Sequence, residues 1–196
     1  MQIYKVGGYV RDSIMGIKPH DVDYVVVDAT CEDMINLGYT QVGNAFPVFL
    51  DDDGNEYALA RTERKNGNGY LGFDFSTENV SLEDDLKRRD LTINSIAMDE
   101  DGNIIDPYNG ISDIENKILR HTSDAFAEDP LRVLRLARFH ARFGLDWSIH
   151  PETVELCKSI VQSGELNYIS SERFVKELIT ALSYEYFYLF FDNLHN

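Results

Sequence analysis

The chain reads as an α+β protein: short strands and helices intermix in its first part, and its last part is helical. Three observations predict it. Short strand-like runs, separated by glycine, asparagine and aspartate turns, crowd into the first part of the chain. From Glu128 onward the apolar residues recur at helical spacing, and Pro130 and Gly144 bracket the first long helix. The composition is globular: 196 residues, 43% hydrophobic and 27% charged, can bury a core in one ordinary domain with a smaller helical appendage.

The first two dozen residues carry the strongest chemical signal. Ile3, Tyr4 and Val6 form a short alternating strand that reaches the turn Gly7-Gly8. Val10 to Met15 reads as a helix stopped by Gly16, and His20 to Val27 as a second strand, apolar from Tyr24 on. The two glycines let the backbone come close to a ligand, and the N–H groups opening the helix point at it. Arg11 adds a cation one turn in. Asp21 and Asp23 lie two apart, so on a strand both carboxylates leave one face. Two carboxylates opposite an anion-binding turn make a site for Mg²⁺ and a triphosphate. Either motif alone is most often a plain turn or a solvated strand end; their combined spacing carries the reading.

Ala29 to Leu37 follows as a short helix with Thr30 as its N-cap and Gly38 as its stop. Thr40–Val42, Phe46–Leu50 and Glu56–Ala60 are strands, the last two joined by the turn Asp51-Asp52-Asp53-Gly54-Asn55. Those aspartates lack the downstream glutamate of a calcium loop and read as a solvated turn. Arg61 to Tyr70, with Arg61, Glu63 and Arg64 among its charges, is polar and glycine-rich. It is a surface loop or a mobile flap over the cleft, and the residues alone leave both readings open. Ser81 begins a short acidic helix with Asp84 in the capping-box position. The helix delivers Lys87-Arg88-Arg89-Asp90 directly before the apolar stretch Leu91–Ala97, so at least one of these charges is carried inward. Met98 to Ile105 reads as a second hairpin, Asp106 to Gly110 as a turn and Ile111 to Leu119 as a helix.

In the helix between Asp129, its expected N-cap, and Gly144, four arginines share one side. At roughly 100° per residue, Arg132, Arg135, Arg138 and Arg142 fall within an arc of about 120°. An all-arginine face is either a salt-bridged scaffold or a guanidinium stripe that binds phosphates and reads a base through paired hydrogen bonds. His140 points away from it and reads as structural. Pro151–Ser163 and Glu172–Leu182 are further helices, the latter capped by Ser170 or Ser171. The aromatic run Tyr184–Phe191 must pack on these helices or on another molecule.

Bulk charge narrows the function classes. A formal net charge of −16 argues against a general nucleic-acid binder, since phosphate affinity comes from lysine and arginine, so any such contact uses a local basic patch. Cys31 and Cys157 match no metal or redox spacing, which fits a reduced, cytoplasmic setting. With no signal segment and no apolar run of roughly 18 residues, secretion and membrane spanning are disfavoured.

Taken in order, Gly7-Gly8 with Arg11-Asp12, Asp21 with Asp23, Ala60–Lys65, Arg88-Arg89-Asp90 with Asn94, Asp106–Gly110 and Glu128-Asp129 with Arg132, Arg135 and Arg138 resemble the class II tRNA nucleotidyltransferase family. The likeness is to bacterial-type CCA-adding enzymes and poly(A) polymerases, and it runs to about residue 182. It implies a polymerase-β-like nucleotidyltransferase head over residues 1–120 and a helical neck over 121–196. Asp21 and Asp23 would be catalytic and hold Mg²⁺, activating the 3′-hydroxyl of a tRNA for in-line attack on CTP or ATP, with release of pyrophosphate. Gly8 and Arg11 would bind the triphosphate, and Arg89 and Asp90 its phosphates and ribose. Asp129 and Arg132 would read the base, with Arg135 and Arg138 alongside, and the Arg61–Tyr70 segment would serve the switch from C to A. Family members continue into helical domains that grip tRNA, whereas this sequence stops within or just after the neck. That leaves weak tRNA binding, dimerisation through the aromatic tail or shorter substrates open; the aromatic tail predicts self-association. Addition of CCA is the leading expectation. Partial CC or A addition, poly(A) synthesis, or a non-catalytic nucleotide- or tRNA-binding remnant are the alternatives.

Overall fold

The computed structural model describes residues 1–19, 21–43, 47–65 and 73–195, and of 63–65 and 73–75 the backbone. Strand β1 (Gln2–Val6) leads to α1 (Gly8–Ile14) and β2 (Asp23–Val27), then α2 (Cys31–Asn36), β3 (Thr40–Val42), β4 (Val48–Leu50) and β5 (Glu56–Leu59). Strands β6 (Thr62–Lys65) and β7 (Phe73–Ser76) and helix α3 (Leu82–Lys87) come next, followed by β8 (Ala97–Met98), β9 (Ile104–Ile105), α4 (Gly110–Glu115) and β10 (Ile118–Leu119). Helix α5 (Leu131–Phe143), strand β11 (Ser148–Ile149) and helices α6 (Pro151–Gln162), α7 (Ser171–Leu182) and α8 (Tyr188–His195) complete the chain. The architecture is α+β. Among the described residues no helix is long and apolar enough to cross a membrane.

Seven strands form one sheet in the order β3-β4-β5-β2-β1-β8-β9, with β2 and β5 parallel. Strand β2 is central, and its apolar run is used on both faces. Val25 and Val27 pack with Val6, Val80 and Leu86, while Val26 packs with Met34, Phe49 and Leu59. Each such fully buried side chain contributes about 1.5–3 kcal/mol of transfer free energy. In the antiparallel β1–β2 pair, Gln2 stands opposite Val27 and Val6 opposite Asp23. This register brings the Gly7-Gly8 turn and the aspartate strand to the same end of the sheet.

The capping box at Ser81 and the N-cap at Thr30 form as expected, and Thr30 also completes a box with Asp33: each hydroxyl accepts the N–H three residues on, and the Asp33 or Asp84 carboxylate returns the bond. Asp51 organises its turn by accepting from the Asp53 and Asn55 backbone and the Asn55 amide. Four expectations change. The β2 ladder starts at Asp23 because β1 supplies no partner beyond Val6; Asp21 and Val22 precede the strand, and His20 lies outside the described residues. Strand β4 starts at Val48, and Phe46 also lies outside them. Thr62–Lys65, expected in a loop, is a strand paired antiparallel with Phe73–Ser76; Asn66 to Tyr70, the rest of that segment, is not among the described residues. The helix expected from Ile111 to Leu119 ends at Glu115, because Lys117 takes a positive φ of 55° and Ile118–Leu119 pairs in parallel with Ser148–Ile149. Helix α4 starts tightly: Asp106 accepts the Gly110 and Ile111 N–H groups, and a Cβ on Gly110 would lie 2.3 Å from the Thr92 carbonyl oxygen.

Helix α5 is the axis of the second half. One side joins a core containing Val10, Leu91, Ile93, Phe126, Phe139, Trp147 and Ile160. The other, through Leu134, Ala137 and Ala141, packs on Ala181 of α7 and Phe190 of α8. The aromatic tail is thus partly folded back: Phe190 is buried, while Phe187, Tyr188 and Phe191 are exposed. His140 is structural, its ring nitrogens meeting the Trp147 carbonyl and the Asn193 side chain.

Candidate active site

Sheet and helix α5 enclose a cleft of about 750 Å³. Among the described residues, nine arginines line it, with four aspartates and no lysine. A protein of net charge −16 therefore keeps a locally cationic cavity, the arrangement that concentrates an anionic ligand. Gly8, Arg11, Asp21, Asp23, Arg61, Arg89, Asp90, Asp129, Arg132, Arg135 and Arg138 all border it. Of the other expected site residues, Glu63 and Arg64 lie on β6, and their side chains are outside what is described.

The floor is the end of the β1–β2 pair. Gly7 has φ +67°, a left-handed conformation that glycine adopts without strain, and a Cβ there would approach Arg89 Nη1 to 3.2 Å. Asp21 and Asp23 are exposed at the rim, and among the described residues neither carboxylate has a hydrogen-bond or ion-pair partner. The short spacing still delivers both side chains to the cleft although only Asp23 belongs to the strand.

Arg11 is only 3% exposed. Its Nε and Nη2 donate to Asp12 at 2.8 Å, its Nη1 donates to Asn94, and its plane lies near the Phe139 and Phe143 rings. Burial, followed by the like charge of Arg142, lowers its pKa, and Asp12 opposes the change. Asp12 also accepts from Arg142 at 2.9 Å. Asp90 accepts from Asn94 Nδ2 at 2.9 Å, from Arg135 Nη2 at 2.7 Å and from the Leu91 N–H. Burial alone would raise its pKa; the Arg135 charge, the Asn94 bond and the Arg132 charge outweigh this and hold the carboxyl well below the usual carboxylate range. The Asp90 charge in turn raises the Arg135 pKa against desolvation.

The stripe on α5 combines both readings of the arginine face: its members line the cleft, and they are held. Arg132 donates to the backbone carbonyls of Ala125 and Arg88. Arg135 meets Asp90, Arg138 meets Glu177, and Arg142 meets Asp12. Pro130 already has helical dihedrals, and extended Asp129 accepts the Leu131 N–H at 3.1 Å, close to the expected cap. Asp129 is further gripped by Arg173 of α7, with Nη2 at 2.7 Å and Nη1 at 3.3 Å.

Several contributors escape sequence reading. Asp85, with no exposure at all, receives Arg88 and Arg89. Its spacing three and four residues before them on a helix was a usable signal. Glu177 and Arg173 come from a helix more than thirty residues beyond their partners, and no local pattern announces them.

The sheet with this site is a nucleotidyltransferase head of the polymerase-β-like class. Comparison with known proteins agrees, for the profile of the Poly A polymerase head domain family matches residues 3–120, and the chain belongs to that family. Curated relatives include the Multifunctional CCA proteins of Pseudomonas fluorescens, 58% identical over 93% of this chain and 45% of that protein, and of Acinetobacter baumannii, 57% identical over 100% and 48%. The chain spans about half the length of the curated relatives it matches. Among solved structures, a CCA-adding enzyme in an apo form superposes with TM-score 0.80 at 27% identity, covering 99% of this chain and 48% of that one. The Bacillus stearothermophilus CCA-adding enzyme in complex with CTP gives 0.74 at 35% identity, covering 94% and 45%.

Proposed function

We propose that this chain carries the nucleotidyl-transfer site of a CCA-adding enzyme, extending the 3′ end of tRNA by C, C and A from CTP and ATP in the cytoplasm. The observation that carries the reading is the pair of unengaged carboxylates, Asp21 and Asp23, at the mouth of a cleft lined by nine arginines. One side suits a cation and the other a polyphosphate. Relatives named for CCA addition, solved with CTP and, in the Thermotoga maritima enzyme, with tRNA, support the choice of substrates.

The acidic pair fits Mg²⁺. The ion takes one or two carboxylates and completes its shell with water and substrate phosphates, and among the described residues no third protein ligand joins them. Bound there, Mg²⁺ supplies charge neutralisation for the transferring phosphoryl group. The chain's own residues do the rest. Gly7 and Gly8 let the polyphosphate approach the backbone, and Arg11 and Arg89 offer guanidinium edges to it. Asp90 stands at the ribose. Asp129 and Arg132, braced by Arg173 and the backbone, present a carboxylate and a guanidinium to the base edge, with Arg135 and Arg138 beside them. The β6–β7 hairpin, which follows the cleft residue Arg61 and carries Glu63 and Arg64, is the element that serves the change from C to A. The exposed aromatic side of α8 is the surface through which two copies associate, and a concentration-independent monomer mass in light scattering would remove that element.

The test is to incubate the protein and Mg²⁺ with tRNA ending at its discriminator base, offer labelled CTP and ATP, and resolve products to single nucleotides. Growth by C, C and A supports the proposal. Stopping after two additions, or adding A alone to a CC end, replaces it with partial addition, and nucleotide binding without extension replaces it with a binding function.

A further inference from the structure

Behind the cleft wall, where no ligand can touch it, one carboxylate holds three parts of the site together. Asp85 on α3 is fully buried. Its Oδ1 accepts from Arg88 Nη2 at 2.6 Å and Nε at 3.0 Å, and its Oδ2 from Arg89 Nη2 at 3.0 Å and Nε at 3.3 Å. Two neighbouring guanidinium groups that would repel each other are thereby fixed side by side. Because Asp85 takes the Nε–Nη2 edge of Arg89, the remaining Nη1 is turned toward the Gly7 turn, where a Cβ would lie 3.2 Å away.

The same carboxylate reaches the hairpin. Oδ1 accepts the Arg61 N–H at 3.2 Å, and Arg88 Nε donates to the Arg61 carbonyl at 2.9 Å. Both peptide groups at the root of β6 are thus tied to the Asp85–Arg88 pair. On the far side, Arg132 Nη2 donates to the Arg88 carbonyl at 2.6 Å. Hairpin root, paired arginines and helix α5 meet at one buried group.

We propose that Asp85 is a positioning residue: it pre-forms the Arg88–Arg89 pair for the phosphates of an incoming nucleotide and couples occupancy of that pair to the root of the β6–β7 hairpin. This rests on the triphosphate reading of the cleft. A charge-assisted bond is about twice as strong as a neutral one, so removing the Asp85 charge while keeping its shape loosens both guanidinium groups.

The experiment compares the intact chain with Asp85→Asn by isothermal titration of ATP and of inorganic tripolyphosphate with Mg²⁺, well below the melting temperature. The Kd for both ligands is expected to rise about tenfold, and in the transfer assay the loss is expected in KM rather than in kcat. A folded Asp85→Asn with wild-type Kd and KM overturns the proposal, whereas a kcat loss with unchanged Kd reduces Asp85 to scaffold and also overturns it. Should the variant not fold, hydrogen exchange on the wild type decides: ATP should slow the amides of Thr62–Lys65, and unchanged rates refute the coupling. Binding is read without tRNA, so the two readings fail separately. A wild type whose ATP affinity depends on Asp85 but which transfers nothing sinks the enzymatic function alone. Transfer by a chain indifferent to Asp85→Asn sinks this proposal alone, and a chain that binds no triphosphate sinks both.

Discussion

Replacing Glu177 with leucine tests whether the arginine stripe is held by the carboxylates around it. Glu177 accepts from Arg138 across α7 and α5, and the two side chains are 8% and 11% exposed. Breaking such a pair from one side leaves a buried charge uncompensated and costs about 3–5 kcal/mol. The second contact, to Arg135, adds little: it is 3.8 Å long and that side chain is 35% exposed, so solvent screens it. For a chain of this size each kcal/mol moves the midpoint by about 2–4 °C, so Glu177→Leu should melt about 6–20 °C lower. Thermal and urea unfolding should be run on this variant, on Arg138→Leu and on the double variant. If the cost is an orphaned guanidinium, the double variant removes both charges and recovers much of the loss. A double variant no more stable than Glu177→Leu alone would refute the reasoning and move the cost to packing.

Asp21→Asn or Asp23→Asn should abolish metal-dependent transfer while leaving the melting temperature within about 2 °C, because among the described residues neither carboxylate has a partner to lose; residual transfer by the double variant argues against the metal assignment. Arg132→Ala should relax the choice among CTP, ATP, GTP and UTP, and it should also destabilise the chain, since Arg132 is buried and ties α5 to the Arg88 carbonyl; unchanged selection makes it scaffold only. Asp85 and Asp90 are buried, which raises their pKa values, yet the flanking arginines bring both below the ordinary value. Their contribution is therefore complete above the unfolded value near pH 4 and is lost as pH falls through the folded one. Acid unfolding should set in below about pH 4, with a shallower limb in Asp90→Asn; an identical limb excludes Asp90 as its source.

Local chemistry was mostly legible where a residue's partner lies within one turn or one strand; Asp85, whose partners Arg88 and Arg89 follow within a turn, is the exception. Ser81 with Asp84 announces its capping box, Thr30 its N-cap, and the apolar run from Tyr24 announces β2 as a strand. The lining of the candidate site was legible for a related reason, since Gly7, Asp23 and the stripe on α5 each belong to a short motif. What was not legible depends on long-range pairing. Thr62–Lys65 has too much charge and too little apolar alternation to read as a strand, and it becomes one through Phe73–Ser76. Ile118–Leu119 continues a helical pattern until Ser148–Ile149 takes it as a ladder. Whether the arginines would be free or held also turned on distant groups, and Glu177 and Arg173 answered it from α7.

The carboxylates threaded among the arginines bear on how the cleft meets an ionic medium. An open array of cations gathers mobile anions from solution, and a polyanion that displaces them gains the entropy of their release. Here Asp12, Asp85, Asp90, Asp129 and Glu177 act as counterions that are part of the chain and cannot leave. A ligand entering the cleft sets fewer small ions free than nine arginines would suggest, so its affinity should decline only gently as salt rises.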